Sequence, residues 1–255
     1  MRKMIALVMI VLGIIFANSS FGQNDSNFIQ KLPILKASDR DGMYHTKIDG
    51  TPLYGSKKKP IRFKYIGDFQ IVDGDTIAVA ENFDKKFFHI SLNGKPAYTQ
   101  KYNSVSEFTN GFAIAENDLG CFHIRKDGKK IQNEKIFYKV RPFYNGLAAV
   151  ENDDGDCFHI DTEGNPIYKK KYLSVGDFNL GCAWVQDSYD ERFYLINQFG
   201  DKILGDNSYK SIIADPNENG KFIAKNDSVT FIITIDEKDN TVRMLIVENP
   251  KRNKK

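Results

Sequence analysis

All four histidines of the chain occupy the same place in a repeated block of residues. An aromatic residue precedes each of them, and the four are His45, His89, His123 and His159. If the units that carry them stack in register, neighbouring imidazoles could bind a transition metal. Coordination needs several ligands close together, whereas this pattern supplies one ligand per unit. A fifth copy has Leu195 in this place. We therefore expect a slot for an amphipathic ring whose N–H donates to a neighbouring carbonyl, and no metal or other cofactor.

Other patterns that support catalysis or cation binding are sparse. Asp73-Gly74-Asp75 and Asp153-Asp154-Gly155-Asp156 lack the twelve-residue Ca²⁺ loop that ends in Glu, so we interpret them as solvated hairpin tips. The sequence has no Gly-x-Ser-x-Gly elbow, no Gly-rich phosphate loop and no His-Glu-x-x-His. A carboxylate pair for glycoside hydrolysis needs only spatial proximity and stays open as an alternative. We predict that the protein is not an enzyme and assign no catalytic residues.

The elements that position these residues repeat at a step of 35 residues. Phe108-x-x-Gly111-x-Ala113 returns as Phe143-x-x-Gly146-x-Ala148 and again as Phe178-x-x-Gly181-x-Ala183. A glycine follows the histidine block in each unit, at Gly94, Gly128, Gly164 and Gly200. An aromatic residue then opens the next unit, at Phe63, Tyr102, Phe137, Tyr172 and Tyr209. The array has four clear units with a degenerate partial unit at either end. This is expected, because an end repeat has only one neighbour to pack against.

Each unit has the pattern of short β-strands. The Gly-x-Ala-x-Val block and the Cys-Phe-His-Ile block both alternate with period two, and polar turn residues separate them. A unit of this size cannot bury an apolar face alone, so its neighbours must complete the core. We predict an all-β fold of tandem hairpin or meander repeats stacked as an open or superhelical array. A propeller-like ring is the alternative, although its blades usually take ~40–50 residues.

The block Phe-x-x-Gly-x-Ala-x-Val, followed by an aromatic-Ile-Asp-x-x-Gly segment, resembles the WG (KWG) β-repeat proteins. The resemblance covers residues 43–236 and is good for the Phe-Gly-Ala-Val half of the repeat. The other half of the repeat departs from the family, because the Trp-Gly dipeptide is missing: Cys121-Phe122 and Cys157-Phe158 stand there, and Trp184 lies on the other strand. The resemblance implies a β-repeat array with a binding or scaffolding role and supplies no catalytic residues.

Cysteines and aromatic residues leave two questions open. Cys121, Cys157 and Cys182 allow one disulfide with a free thiol, but we favour three buried, inert thiols. Tyrosines recur near the unit starts, and we expect most of them in the core. Those left at the surface would suit protein or glycan contacts; the set is Tyr65, Tyr98, Tyr102, Tyr138, Tyr144, Tyr168, Tyr172 and Tyr209.

The first 22 residues have the features of an export signal. Arg2 and Lys3 precede an apolar stretch from Met4 to Ala17, which is shorter than the ~20 residues of a membrane span. Cleavage after Gly22 fits the small-x-small rule, with cleavage after Ser19 and an uncleaved anchor as alternatives. We predict a signal peptide at 1–22, a lead-in at 23–42, the repeat domain at 43–236, and a C-terminal strand with a basic tail at 237–255.

Charge and composition narrow the function further. The formal charge is +3, and basic residues at the two termini account for the excess, so the body carries no nucleic-acid footprint. We predict an exported periplasmic or extracellular module that binds a protein or a cell-envelope glycan and keeps no membrane span after signal cleavage. The alternatives are a carbohydrate-active enzyme and a periplasmic metal-binding protein that uses the repeated histidines.

Overall fold

The computed structural model describes residues 34–187, 189–215, 217–227, 229–236 and 241–248. In these residues the chain forms antiparallel β-strands and no helix, which confirms the all-β prediction. No helix among them is therefore long and apolar enough to cross a membrane. The predicted signal peptide lies outside the described residues.

The strands form six sheets in chain order, called here the first to the sixth sheet. The first contains β1 (Leu35–Asp39) and β2 (Gly42–Thr46), and the second contains β3 (Tyr65–Ile66), β4 (Gln70–Val72), β5 (Asp75–Glu81) and β6 (Phe87–Ser91). The third contains β7 (Ser104–Val105), β8 (Ala113–Asn117) and β9 (Gly120–Ile124), and the fourth contains β10 (Lys139–Val140), β11 (Leu147–Glu151) and β12 (Cys157–Asp161). The fifth contains β13 (Ser174–Val175), β14 (Cys182–Gln186) and β15 (Phe193–Asn197), and the sixth contains β16 (Ser211–Ala214), β17 (Lys221–Lys225), β18 (Val229–Ile235) and β19 (Val242–Glu248).

The third, fourth and fifth sheets are three-stranded meanders built from the repeated blocks. In the fourth sheet Val140 pairs with Val150, which in turn pairs with Phe158. Because residues that pair across a sheet lie on the same face, these three apolar side chains form one buried row. The period-two alternation of the sequence thus produces the buried face of each unit.

The aromatic residue that opens each unit joins two sheets. Tyr172 exchanges two backbone hydrogen bonds with Cys157 of the fourth sheet, at 2.8 and 3.0 Å. Two residues later the same segment becomes β13 and pairs with β14 of the fifth sheet. Phe63, Tyr102, Phe137 and Tyr209 make the same bridge to the preceding sheet. Contacts between sheets therefore follow chain order, a property that an open array and a ring share.

Two details differ from the expectations. β1 lies inside the segment 23–42 that was predicted as a lead-in, because Lys36-Ala37-Ser38 pairs with β2 and begins the first sheet. All three cysteines are free thiols, but only Cys182 is buried, so the prediction of three buried thiols is wrong for Cys121 and Cys157. Both of these thiols are half-buried. Burial raises the pKa of Cys182 to about 11.

Candidate functional site

The four histidine side chains lie buried between consecutive sheets. In each ring Nε2 lies 2.7–3.0 Å from the backbone carbonyl oxygen of the residue that directly follows the short first strand of the next sheet; the acceptors are Gly67, Ser106, Arg141 and Gly176. A carbonyl oxygen only accepts, so Nε2 carries the proton and donates it. This is the ring-to-carbonyl contact expected from the sequence.

The other ring nitrogen meets a tyrosine hydroxyl in three of the four units. Tyr54, Tyr98 and Tyr168 each stand nine residues after the histidine, with their hydroxyl oxygens 2.6–2.7 Å from Nδ1. In a neutral imidazole protonated at Nε2, Nδ1 is an acceptor, so the hydroxyl donates. Burial lowers the pKa of His89 and of His159 to about 4, which keeps both rings neutral near pH 7. Burial also raises the pKa of Tyr54 to about 12.

Each imidazole also packs against a phenylalanine, which belongs to the Phe-x-x-Gly block in every case but that of His45. The ring centroids lie 4.3–4.5 Å apart in the pairs His45–Phe69, His89–Phe108, His123–Phe143 and His159–Phe178. Both nitrogens and one face of each ring are thus occupied by the protein itself. In the described part of the chain, no group of three or more His, Cys, Asp or Glu side chains could hold a metal ion.

We number the units one to five by His45, His89, His123, His159 and Leu195. In the third unit a buried carboxylate replaces the tyrosine. Oε1 of Glu134 lies 2.6 Å from Nδ1 of His123, and Oε2 accepts the backbone N–H of the same histidine at 2.7 Å. Two acceptors do not approach this closely, so one proton lies between Nδ1 and Oε1. The pair has no net charge whichever atom holds that proton. Sequence reasoning assigned neither Glu134 nor the tyrosines as partners of the histidines, although the repeated nine-residue spacing marks the tyrosines.

A groove of about 830 Å³ lies between the turns of the first three repeat units. Leu53, Ile77, Leu92, Pro96 and Ala97 supply its apolar lining, and the exposed fraction of Leu92 is 45%. Leu53 and Ala97 are equivalent, since each donates its N–H to the carbonyl of the histidine eight residues earlier. The groove is therefore built from matching positions of adjacent units.

Charged residues form the rim of this groove. Lys126, the counterpart of Leu92 in the next unit, pairs with Asp75 at 2.7 Å between Nζ and Oδ2. Asp127 also lines the groove, and hydrogen bonding from the backbone N–H of Lys129 lowers its pKa. A general acid for glycoside hydrolysis needs a raised pKa, so Asp127 has the wrong shift for that role.

One wall of the groove carries Asp75 and is formed by a hairpin of the second sheet, which a side chain fastens to the next unit. The second sheet has a longer first hairpin than the other units, formed by β4 and β5. At its base the Gln70 side chain donates to the carbonyl of Phe108 at 2.9 Å and accepts the Phe108 N–H at 2.8 Å. The hairpin is thus fastened to the third unit.

A smaller cavity of about 360 Å³ near Lys171 has a structural explanation. Nζ of Lys171 lies 2.8 Å from the centroid of the Phe158 ring, and burial lowers the pKa of this lysine. Lys101 and Arg62 lie over Phe88 and Tyr44 at the matching places of earlier units. Because the cation over the ring recurs, we attribute it to stabilisation of the array.

The tyrosines near the unit starts divide as expected between core and surface. Five are buried, namely Tyr98, Tyr102, Tyr168, Tyr172 and Tyr209. Tyr65, Tyr138 and Tyr144 are exposed. None of these three lines the groove between the first three units.

A family model described as the WG-containing repeat matches residues 134–155 and 160–188. A search for relatives among curated proteins finds no match. The fold is similar to Hsv2 of Kluyveromyces lactis, with 12% identity, 87% of this chain and 84% of that chain covered, and a TM-score of 0.40. It is also similar to the WD40 β-propeller domain of Doa1, with 14% identity, 85% and 79% covered, and a TM-score of 0.34.

Proposed function

Because the chain carries WG-containing repeats over residues 134–155 and 160–188, we propose that it is an exported binding module without catalytic activity. The observation that carries the proposal is the groove of about 830 Å³ between matching turns of the first three units. Its lining combines an apolar floor with a charged rim, the arrangement found in protein recognition sites.

The lining favours a protein segment over a glycan as the partner. Leu53, Leu92 and Pro96 give the floor apolar area, and Asp75 with Lys126 can orient a polar backbone. Sugars are usually held by aromatic faces, and among the described residues that line this groove there is no aromatic ring. An extended peptide with an apolar side chain directed at Leu92 satisfies both parts of the lining.

A matched pair of variants tests the binding site. Leu92→Asp places a charge on the groove floor, whereas Leu119→Asp changes a leucine that is 75% exposed at the tip between β8 and β9. Affinity purification of the full-length protein from its own cells should recover a partner with wild type and Leu119→Asp, and lose it with Leu92→Asp. Equal recovery by all three, or turnover of a glycan by the wild type, would overturn the proposal.

Export is the second part of the proposal and rests on the sequence of residues 1–22. Cell fractionation followed by N-terminal sequencing of the recovered protein tests it. We expect a chain that begins at Gln23 in the envelope or medium fraction. A chain that keeps Met1 in the cytoplasmic fraction would contradict export without touching the binding site.

A further inference from the structure

The last strand of the described chain presents an unusual edge. β19 pairs with β18 over seven residue pairs and ends the sixth sheet in the order β16-β17-β18-β19. In the earlier units the edge of the outer strand is bridged by the aromatic residue that opens the next unit. β19 ends the sheet, so its outer edge is an open row of backbone donors and acceptors among the described strands.

Four consecutive apolar residues of this edge strand are exposed. Met244, Leu245, Ile246 and Val247 have exposed fractions from 38% to 62%. Since successive residues of a strand point to opposite faces, both faces of β19 carry exposed apolar side chains. A long apolar edge strand is normally covered or blocked by charge, because it otherwise pairs with another strand.

The charges on either side of β19 show which partner fits. In the sequence, Asp236, Glu237, Lys238 and Asp239 precede the strand with a net charge of −2, and the stretch from Glu248 to the basic residues Lys251, Arg252, Lys254 and Lys255 has a net charge of +3. When two copies of this strand lie antiparallel, the basic end of each meets the acidic end of the other. A parallel pair would instead place like charges together, at a cost in free energy.

We propose that β19 is a dimerisation strand, which pairs antiparallel with β19 of a second copy of this chain. This goes beyond the proposed binding function, since the groove lies in the first three units and β19 in the last sheet. The twofold axis then stands perpendicular to a sheet continuous across both copies, an isologous arrangement.

The geometry limits the register of this pairing. With a twofold axis perpendicular to the sheet, each residue of β19 points to the same face of the sheet in both copies. Two residues that lie opposite one another across the interface also point to the same face, so their residue numbers must differ by an even number. Two registers place apolar residues opposite one another. One centres on Leu245, with Met244 opposite Ile246, and the other centres on Ile246, with Leu245 opposite Val247.

Size measurement on the full chain is the first test. Light scattering after size exclusion should give a dimer for wild type and for the control Leu119→Lys, and a monomer for Leu245→Lys. Circular dichroism shows whether Leu245→Lys keeps its β content. A monomeric wild type, or a series of larger species from head-to-tail pairing with β1, would overturn the proposal.

Cysteine cross-linking is the second test and does not depend on a destabilising variant. Under mild oxidation we expect an interchain disulfide in Leu245→Cys or in Ile246→Cys, according to the register, and none in Leu119→Cys. The wild type, run in parallel, reports any background from Cys121, Cys157 and Cys182. A dimer in which neither variant cross-links above that background would show that another surface forms the interface.

Discussion

Tyr98 donates its hydroxyl proton to Nδ1 of His89 across 2.6 Å, while the opposite nitrogen of that ring donates to the carbonyl of Ser106 at 3.0 Å. The histidine thereby ties the outer strand of the second sheet to its own connecting segment and to the entrance of the third sheet. The same arrangement recurs with Tyr54 and Tyr168. The repeated histidines therefore act as internal cross-links between units.

Removal of the tyrosine hydroxyl should weaken the array. Tyr98→Phe leaves Nδ1 of a fully buried imidazole without its donor, and an unsatisfied buried polar atom costs about 1–3 kcal/mol. Urea unfolding should show a loss of free energy in that range. Tyr138→Phe removes a hydroxyl from a side chain that is 67% exposed and should change the free energy by less than about 0.5 kcal/mol. Equal losses of free energy in the two variants would contradict the claim that the hydrogen bond from Tyr98 to His89 stabilises the array.

Stability should fall on mild acidification. His89 and His159 have folded-state pKa values of about 4, and the pKa of His45 is also lowered, against about 6.5 in the unfolded chain. The unfolded state therefore binds protons first as the pH falls. The stability from these groups is complete above about pH 6.5, is lost down to about pH 4, and is constant below it.

The size of this effect is on the order of 3 kcal/mol for each histidine with a pKa near 4. Urea unfolding at a series of pH values measures it. The double variant His89→Leu with Tyr98→Leu copies the fifth unit, where Leu195 and Leu204 stand in these two places. It should remove the contribution of His89 and so reduce the slope between pH 6.5 and pH 4, while His45 and His159 keep theirs. An unchanged slope would show that His89 is not the titrating group.

Gly128, the glycine after the His123 block, should be costly to replace for two reasons, backbone strain and contact with a tyrosine ring, which two variants separate. Gly128 has φ +75°, and a Cβ there would lie 2.4 Å from Cγ of Tyr98. Gly111 has φ +84° but nothing within 4 Å of its would-be Cβ. Gly111→Ala should thus cost only the backbone strain, about 1–2 kcal/mol. Gly128→Ala should cost at least about twice as much, because it also displaces the tyrosine. Thermal or urea unfolding of the two variants decides the question.

The third unit allows a test of the buried carboxylate. Glu134→Gln can keep both hydrogen bonds, since its amide donates to Nδ1 of His123 and its oxygen accepts the His123 N–H. We expect a loss within about 1 kcal/mol. Glu134→Ala leaves both atoms unsatisfied in a buried place and should cost roughly 2–4 kcal/mol. If glutamine is as damaging as alanine, the site depends on the negative charge of the carboxylate.

The repeat period was sufficient to predict the all-β class and the junctions between sheets. Phe108, Phe143 and Phe178 do occupy equivalent places, each packed on the histidine of the preceding block. The partner Tyr98 could also have been found, because the same spacing occurs after His45 and His159. Glu134 could not, because it stands eleven residues after His123 and therefore does not share the nine-residue spacing of the tyrosines.

The groove was beyond sequence reasoning for a different reason. Its wall depends on the longer hairpin of the second sheet, which has no counterpart in the other repeats and so gave no periodic signal. Gln70, which fastens that hairpin to Phe108, stands alone in the sequence for the same reason.

Site-specific photo-cross-linking in living cells tests the central claim most directly. A photoreactive phenylalanine analogue at position 92 lies on the floor of the groove, and the same analogue at position 119 lies on a hairpin tip away from it. We predict one protein cross-linked from position 92 and none from position 119. If the analogue at position 92 forms no cross-link, the claim that this groove binds a protein is contradicted, whatever the analogue at position 119 does.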